Sequence, residues 1–212
     1  MPAVTALPAS RVPRLLAAAG GLVAQFVFIA AGVYLGMRAD DYKEERAHRA
    51  SARAALANFR SEMVANRAQV VQRLKYHDGL LDSMRVSQQR GDPAPRTVPE
   101  VLRRLGWRGL QPVTYGHVAW DLALATQSLA LLPPDLAFSV AKVYTFQTRI
   151  EELQSIAMTQ LFSPTALEET RWQPFLRALG SHLEDMHYSE PSMIAAYDAL
   201  VPRLDSALAA TR

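Results

Sequence analysis

The pattern of apolar and polar positions changes character twice along the chain. From Leu15 to Met37 the chain reads LLAAAGGLVAQFVFIAAGVYLGM: 23 residues without a charge, with Gln25 the only strongly polar side chain. At 1.5 Å of rise per residue this run reaches roughly 34 Å, enough to cross a hydrocarbon core of about 30 Å. Hydrocarbon offers backbone polar groups no partner, so a spanning segment must be helical. Arg14 and Arg38 close the run, and Tyr34 and Tyr42 stand near its far end, where aromatic rings favour the interface. A cleaved leader has a shorter apolar region followed by a small-residue cleavage site, whereas GMRADDY offers no A-x-A pattern. The expectation is a permanent signal anchor over 15–37 behind a tail of 1–14.

Beyond Arg38 the apolar residues become periodic. Leu56, Phe59, Met63, Val70, Leu74, Leu80, Leu81 and Met84 fall at helical steps, and Leu56, Met63, Val70, His77 and Met84 share one heptad position. There is no proline between Pro13 and Pro93, and Gly79 is the only glycine between Gly36 and Gly91. Without breakers, one helix is expected to run from the anchor to about Gln89, with 38–90 as a juxtamembrane stalk. Asn66 and His77 interrupt its apolar seam, where a polar residue can fix register or, for histidine, respond to pH.

RGDPAPRTVP, from Arg90 to Pro99, is the one clear loop, and Thr97 with Glu100 has capping-box spacing. A short helix over VPEVLRRLG, a buried helix between about Gly116 and Leu132, and a helix opened by Pro134 and Asp135 are expected to follow. The last of these carries Leu136, Val143, Ile150 and Ala157 in one heptad row. Ser163 and Pro164 predict a further helix start, Pro174 a kink or restart, and Pro191 the opening of a final helix kinked at Pro202. No stretch alternates as a strand with hairpin turns. The fold class expected is all-α: an anchor, a stalk, and an irregular helical bundle over 91–212 packed with the stalk.

Composition narrows the chemistry. No cysteine is present, which removes disulfides, thiolate metal sites and a thiol nucleophile. Net charge is +3, and 20 of the 23 basic residues are arginine. With much alanine and leucine, this composition points to a GC-rich bacterial genome, and no local basic excess suggests a nucleic-acid partner. His182 and His187 in SHLEDMH are five apart, on different helix faces, and HExxH is absent. Neither a nucleophile elbow nor a glycine-rich phosphate loop frames a catalytic site. No enzyme activity, metal or cofactor is expected.

The candidate sites therefore concern the membrane. Gly32 and Gly36 form GxxxG, and Gly21 and Gln25 fall on roughly the same face, where small residues permit close helix approach and Gln25 can hydrogen-bond across a pair. Arg38, Lys43 and Arg46 are candidates for anionic lipid headgroups. Arg53, Arg60 and Arg67 recur every seven residues on the flank of the stalk seam. RRLGWRGL, Arg103–Leu110, is expected to dock on the bundle rather than on a bilayer surface.

The junction GVYLGMRADDYKEERAHR followed by LANFRSEMVANRAQV, with Glu44, Glu45 and Arg46 as an E-E-R and Glu62 with Asn66 four apart, resembles a family of uncharacterised bacterial single-span membrane proteins. AWDLALATQSLALLPPDLAFSVAKVY, from Ala119, is similar to that family's tryptophan-containing helix and its tyrosine-bearing successor. The resemblance implies an N-terminus inside and a helical domain outside. Local charge points the other way: Arg38, Lys43, Arg46, Arg49 and Arg53 outnumber Arg11 and Arg14. The expectation adopted is a single-pass bacterial inner-membrane protein with a periplasmic helical domain. It acts by binding, as a scaffold or accessory subunit, with the lipid bilayer and a second copy or another membrane protein as partners. The alternative is an extracytoplasmic helical sensor that binds a ligand and signals through a partner.

Overall fold

The computed structural model describes residues 12–166, 168 and 172–211, with side chains omitted for 12–24, 26 and 27. Among the described residues all regular structure is helical: α1 (Val12–Gln89), α2 (Val98–Leu105), α3 (Val118–Ala125), a 3₁₀ turn (Ser128–Leu131), α4 (Pro134–Leu161) and α5 (Trp172–Ala210). Among them no helix is long and apolar enough to cross a membrane. The expected span, 15–37, falls largely on residues whose side chains lie outside that description. The chain divides into two compact units, Met1–His48 and Arg49–Arg212.

In the first unit the described apolar side chains are exposed on every face of α1: Phe28, Ile29, Val33, Tyr34, Leu35 and Met37. In the second unit α1 buries a stripe of Ala52, Ala55, Leu56, Phe59, Met63, Val70, Leu80 and Leu81, the spacing expected of one helical face. The stripe packs with residues of α4 and α5 in one core and, toward Leu80 and Leu81, with α2 and the start of α5 in a second. The apolar seam of the expected stalk is therefore covered within its own chain.

Side-chain pairs set the directions of the three long helices. Phe59 meets Tyr144, with ring centroids 5.9 Å apart. Arg53 bonds the Leu208 carbonyl, Arg60 pairs with Asp205, and Arg67 holds Asp198 through two bonds of 2.6 and 3.1 Å. As α1 ascends, its α5 partners descend, so α5 runs antiparallel to α1. Arg203 donates to the Ser139 hydroxyl at 2.6 Å and Gln147 to the Tyr197 hydroxyl at 2.7 Å, so α5 is antiparallel to α4 as well. The heptad row Leu136, Val143, Ile150 and Ala157 is buried as expected.

Three local expectations give way. The helix expected over about 116–132 is two short pieces, α3 and the 3₁₀ turn, with Gln127 between them at φ 56°. Ser163 and Pro164 open a turn rather than a helix; the Ser163 hydroxyl accepts the Ala166 N–H at 3.2 Å. Pro191 does not open a helix: α5 runs through both it and Pro202. Both prolines are exposed, so the backbone bonds they omit lie on the solvent side. The buried stripe Met186, Glu190, Met193, Tyr197, Leu200 and Leu204 keeps steps of three and four across them. Tertiary packing here outweighs a local penalty of about 3 kcal/mol per proline.

At the other end of the bundle the sequence signals hold. Thr97 caps α2 by accepting the Glu100 N–H at 3.3 Å, while Glu100 reaches back to the Arg96 N–H at 2.8 Å. Gly106 ends α2 at φ 65°, a left-handed conformation that costs glycine little. Trp107 then packs edge-on against Phe175, with centroids 6.3 Å apart, and Leu110 is buried, so the RRLGWRGL segment docks on the bundle.

Candidate functional site

Residues 106–117 carry no regular structure, yet they lie across the bundle core and bury Leu110, Val113 and Tyr115. Buried backbone groups need partners, and here α1 provides them from one face. Tyr76 donates to the Gly109 carbonyl at 2.8 Å and accepts the Arg108 N–H at 2.9 Å. Arg73 donates to Gln111 at 2.9 Å. Asn66 bonds Gly116 in both directions, accepting its N–H at 2.8 Å and donating to its carbonyl at 3.0 Å. Glu62 accepts the Ala119 N–H at 3.0 Å and the Tyr144 hydroxyl. Gly116 leaves room for this fit: a Cβ there would stand 3.1 Å from the Glu62 Cγ and press on that side chain. Asn66 and His77, which interrupt the apolar seam in sequence, thus fasten the crossover to α1.

His77 is the centre of the buried polar group. It is 1 % exposed and faces Glu190 of α5, which is 0 % exposed. Nδ1 lies 2.8 Å from a Glu190 oxygen and Nε2 lies 3.0 Å from the Leu110 carbonyl. A carbonyl only accepts, so Nε2 carries a hydrogen. The Nδ1–carboxyl contact then needs a second proton, held on either atom. Burial works against a charged ring, but the Glu190 and Leu110 bonds prevail and hold the His77 pKa above its ordinary value.

His182 approaches from the same helix as Glu190. Its ring stands edge-on to His77, with centroids 5.9 Å apart, and it is 3 % exposed. Burial, reinforced by His77, pushes its pKa down to about 4. Among the buried polar atoms without a protein partner are His182 Nε2 and Glu190 Oε2 of this cluster, and elsewhere in the bundle the Tyr115 hydroxyl, Gln147 Oε1 and Gln154 Nε2. Burial also pushes the Tyr115, Tyr144 and Tyr197 hydroxyls well above their ordinary range, so all three remain neutral donors. The arrangement can bind and hold protons and can anchor a crossover.

His182 and His187, read together in sequence, are separated by the fold. His187 is partly exposed and pairs with Asp78 at 2.8 Å, on a different face from His182. Among the described residues no group of three histidine, aspartate or glutamate side chains is placed to hold a metal ion. Glu190, Tyr115 and Gln147 were missed in the sequence, where His182 was weighed only as a metal ligand. The available signal was the row His182, Met186, Glu190 at steps of four within an otherwise apolar stripe.

The membrane candidates lie in the first unit. Gly32 and Gly36 have open space where a Cβ would stand, and Gln25 is exposed; Gly21 lies where side-chain surroundings are outside the description. Arg38 lies over the Tyr34 ring at 5.6 Å, Arg46 over the Tyr42 ring at 5.7 Å, and Lys43 is 3.7 Å from Asp40. A cleft of about 260 Å³ lies elsewhere, where the end of α1, the 92–95 loop and α2 meet the start of α5; Met84, Pro93, Arg104, Trp172 and Leu176 line it. Compared with protein-family models, with curated proteins and with solved structures, the chain matches none.

Proposed function

We propose that the chain is a single-pass bacterial inner-membrane protein whose helical domain acts by binding, as a periplasmic scaffold or accessory subunit. The observation that carries it is the exposure of Phe28, Ile29, Val33, Tyr34, Leu35 and Met37 around the whole circumference of α1. Water penalises such a surface, and a bilayer removes the penalty. The uncharged run of 15–37 supplies the length, and Arg38, Lys43 and Arg46 then meet lipid headgroups. The resemblance to bacterial single-span proteins supports the same topology. Binding is favoured over catalysis because the polar side chains that α1 turns inward have structural work: Asn66, Tyr76 and His77 hold the crossover and Glu62 the start of α3.

Because the stalk seam is covered by α4 and α5, pairing with a second copy or a membrane partner is assigned to the face of Gly21, Gln25, Gly32 and Gly36. The test joins topology and crosslinking. Alkaline phosphatase fused after Arg212 is expected to be active and green fluorescent protein at the same place dark. Membrane crosslinking is expected to trap a pair that Gly32→Leu with Gly36→Leu abolishes. A fluorescent, phosphatase-inactive pair of fusions overturns the periplasmic placement, and a monomer in both chains overturns pairing. The cleft beside Trp172 favours a second reading, a ligand-binding sensor that signals through a partner. A small molecule whose thermal stabilisation is lost in Trp172→Ala would establish that reading instead.

A further inference from the structure

Around His77 and His182 the two cores of the bundle meet. Leu80, Leu81, Leu110, Leu161, Phe175, Leu179 and Leu183 form one core, with Trp107 and Trp172 against it. The larger core, with Phe59, Tyr144 and Tyr197, has Trp120 against it. We propose that the His77–Glu190–His182 cluster is an acid-operated latch: a proton taken up by His182 opens the smaller core while the larger one stays closed.

The geometry carries this. His77 and Glu190 together hold one proton in their 2.8 Å contact, and the Leu110 carbonyl accepts the other ring N–H of His77. His182 has no such partner. Its Nε2 is buried and unbonded, and Glu190 lies eight residues further along α5, roughly 12 Å along the axis, with one oxygen already given to His77. The charged or titratable group acting on His182 is His77 of α1, which repels a second positive charge. On the His77 pair bear Arg73 of α1, His182 and Glu190 of α5, and the Leu110 carbonyl of the crossover. Tyr115 of the crossover feels Glu190 and, from α4, Glu151. Of the acidic groups here, Glu190 is engaged by His77 and Glu151 by His117, and neither acts on His182. A protonated His182 is therefore buried without a counter-charge, and exposure to water is its route to solvation. Lowering pH below the ordinary histidine range thus favours a state in which His182 is exposed, and its neighbours on α5, Leu179 and Leu183, belong to the smaller core.

The experiment uses the full-length chain in detergent micelles, with two of the three tryptophans replaced by phenylalanine at a time. Between pH 7.5 and pH 4.5, Trp107 and Trp172 are expected to red-shift and become several-fold more accessible to acrylamide, while Trp120 keeps its emission. His182→Leu, which keeps the site filled and removes the base, is expected to abolish the shift. Persistence of the shift in His182→Leu, movement of Trp120 at the same midpoint, or no shift down to pH 4.5 would each overturn the latch. Should His182→Leu not fold, the wild-type His182 ring resonance decides. It is expected to titrate together with the tryptophan shift, whereas ordinary titration near pH 6.5 with an intact core overturns the proposal.

Discussion

Phe28 and Phe59 belong to the same helix, α1, and differ as far as two phenylalanines can: 79 % exposed against 0 %. The first stands among apolar residues that take every face, the second among apolar residues that recur at three and four. Hydrophobicity alone therefore says that a side chain wants cover, and periodicity says whether a protein core can give it. A helix that is apolar all round needs an apolar medium on all sides, while a striped helix needs only a neighbour on one.

The sharpest break of that comparison is Phe59→Ala against Phe28→Ala. The first is expected to cost the bundle about 3–5 kcal/mol in urea unfolding followed at Trp120, and the second less than about 0.5 kcal/mol. Equal costs would mean that Phe28 is packed in the bundle core. Close behind comes the buried pair. His77→Leu leaves Glu190 without its partner and is expected to cost about 3 kcal/mol at pH 7, whereas His77→Leu with Glu190→Leu recovers most of it. A double variant as unstable as the single one would show that the pair contributes more than it costs.

The same pair sharpens the comparison through pH. Because the folded His77 pKa lies above its ordinary value of 6.5, its contribution is complete below pH 6.5 and is lost as pH rises through the folded value. His182 has the opposite sign: its contribution is present above 6.5 and is lost as pH falls toward about 4. Urea midpoints are expected to peak near pH 6.5, with the alkaline limb flattened in the double leucine variant. A profile that rises steadily above pH 7 would contradict the assigned proton.

Gly116→Ala is expected to cost about 1–2 kcal/mol, because its Cβ presses on Glu62, whose carboxylate must keep the Ala119 and Tyr144 bonds. A neutral result would show that Glu62 moves aside freely. The smallest effect belongs to Arg67→Ala. Its pair with Asp198 is solvent-exposed, so the loss is expected to be slight, smaller than for Gly116→Ala, and to vanish in high salt.

Much of this architecture is legible in the chain. The absence of prolines between Pro13 and Pro93, the stripe from Leu56 to Val70 and the Thr97–Glu100 box act within a few residues, and each appears as read. The arginines at 53, 60 and 67 were visible as a repeat, but their partners on α5 lie more than 130 residues away. Pro191 misled for a related reason. A proline signals a boundary locally, yet the stripe from Met186 to Leu204 continues across Pro191, as it does across Pro202, because their rings face water.

The sequence by itself determined the helical class, the uncharged run of 15–37, the buried stripe of α1 and the heptad row of α4, since each rests on spacing within one segment. Only the tertiary structure decided that the stalk seam is closed by its own chain, and that Asn66 and His77 serve the crossover. It alone brought Glu190 and His182 to His77 across more than 100 residues. Helical periodicity is a short-range rule that a one-dimensional pattern records; the partner of a buried polar group is chosen in three dimensions, by whichever segment must surrender its water at the same place.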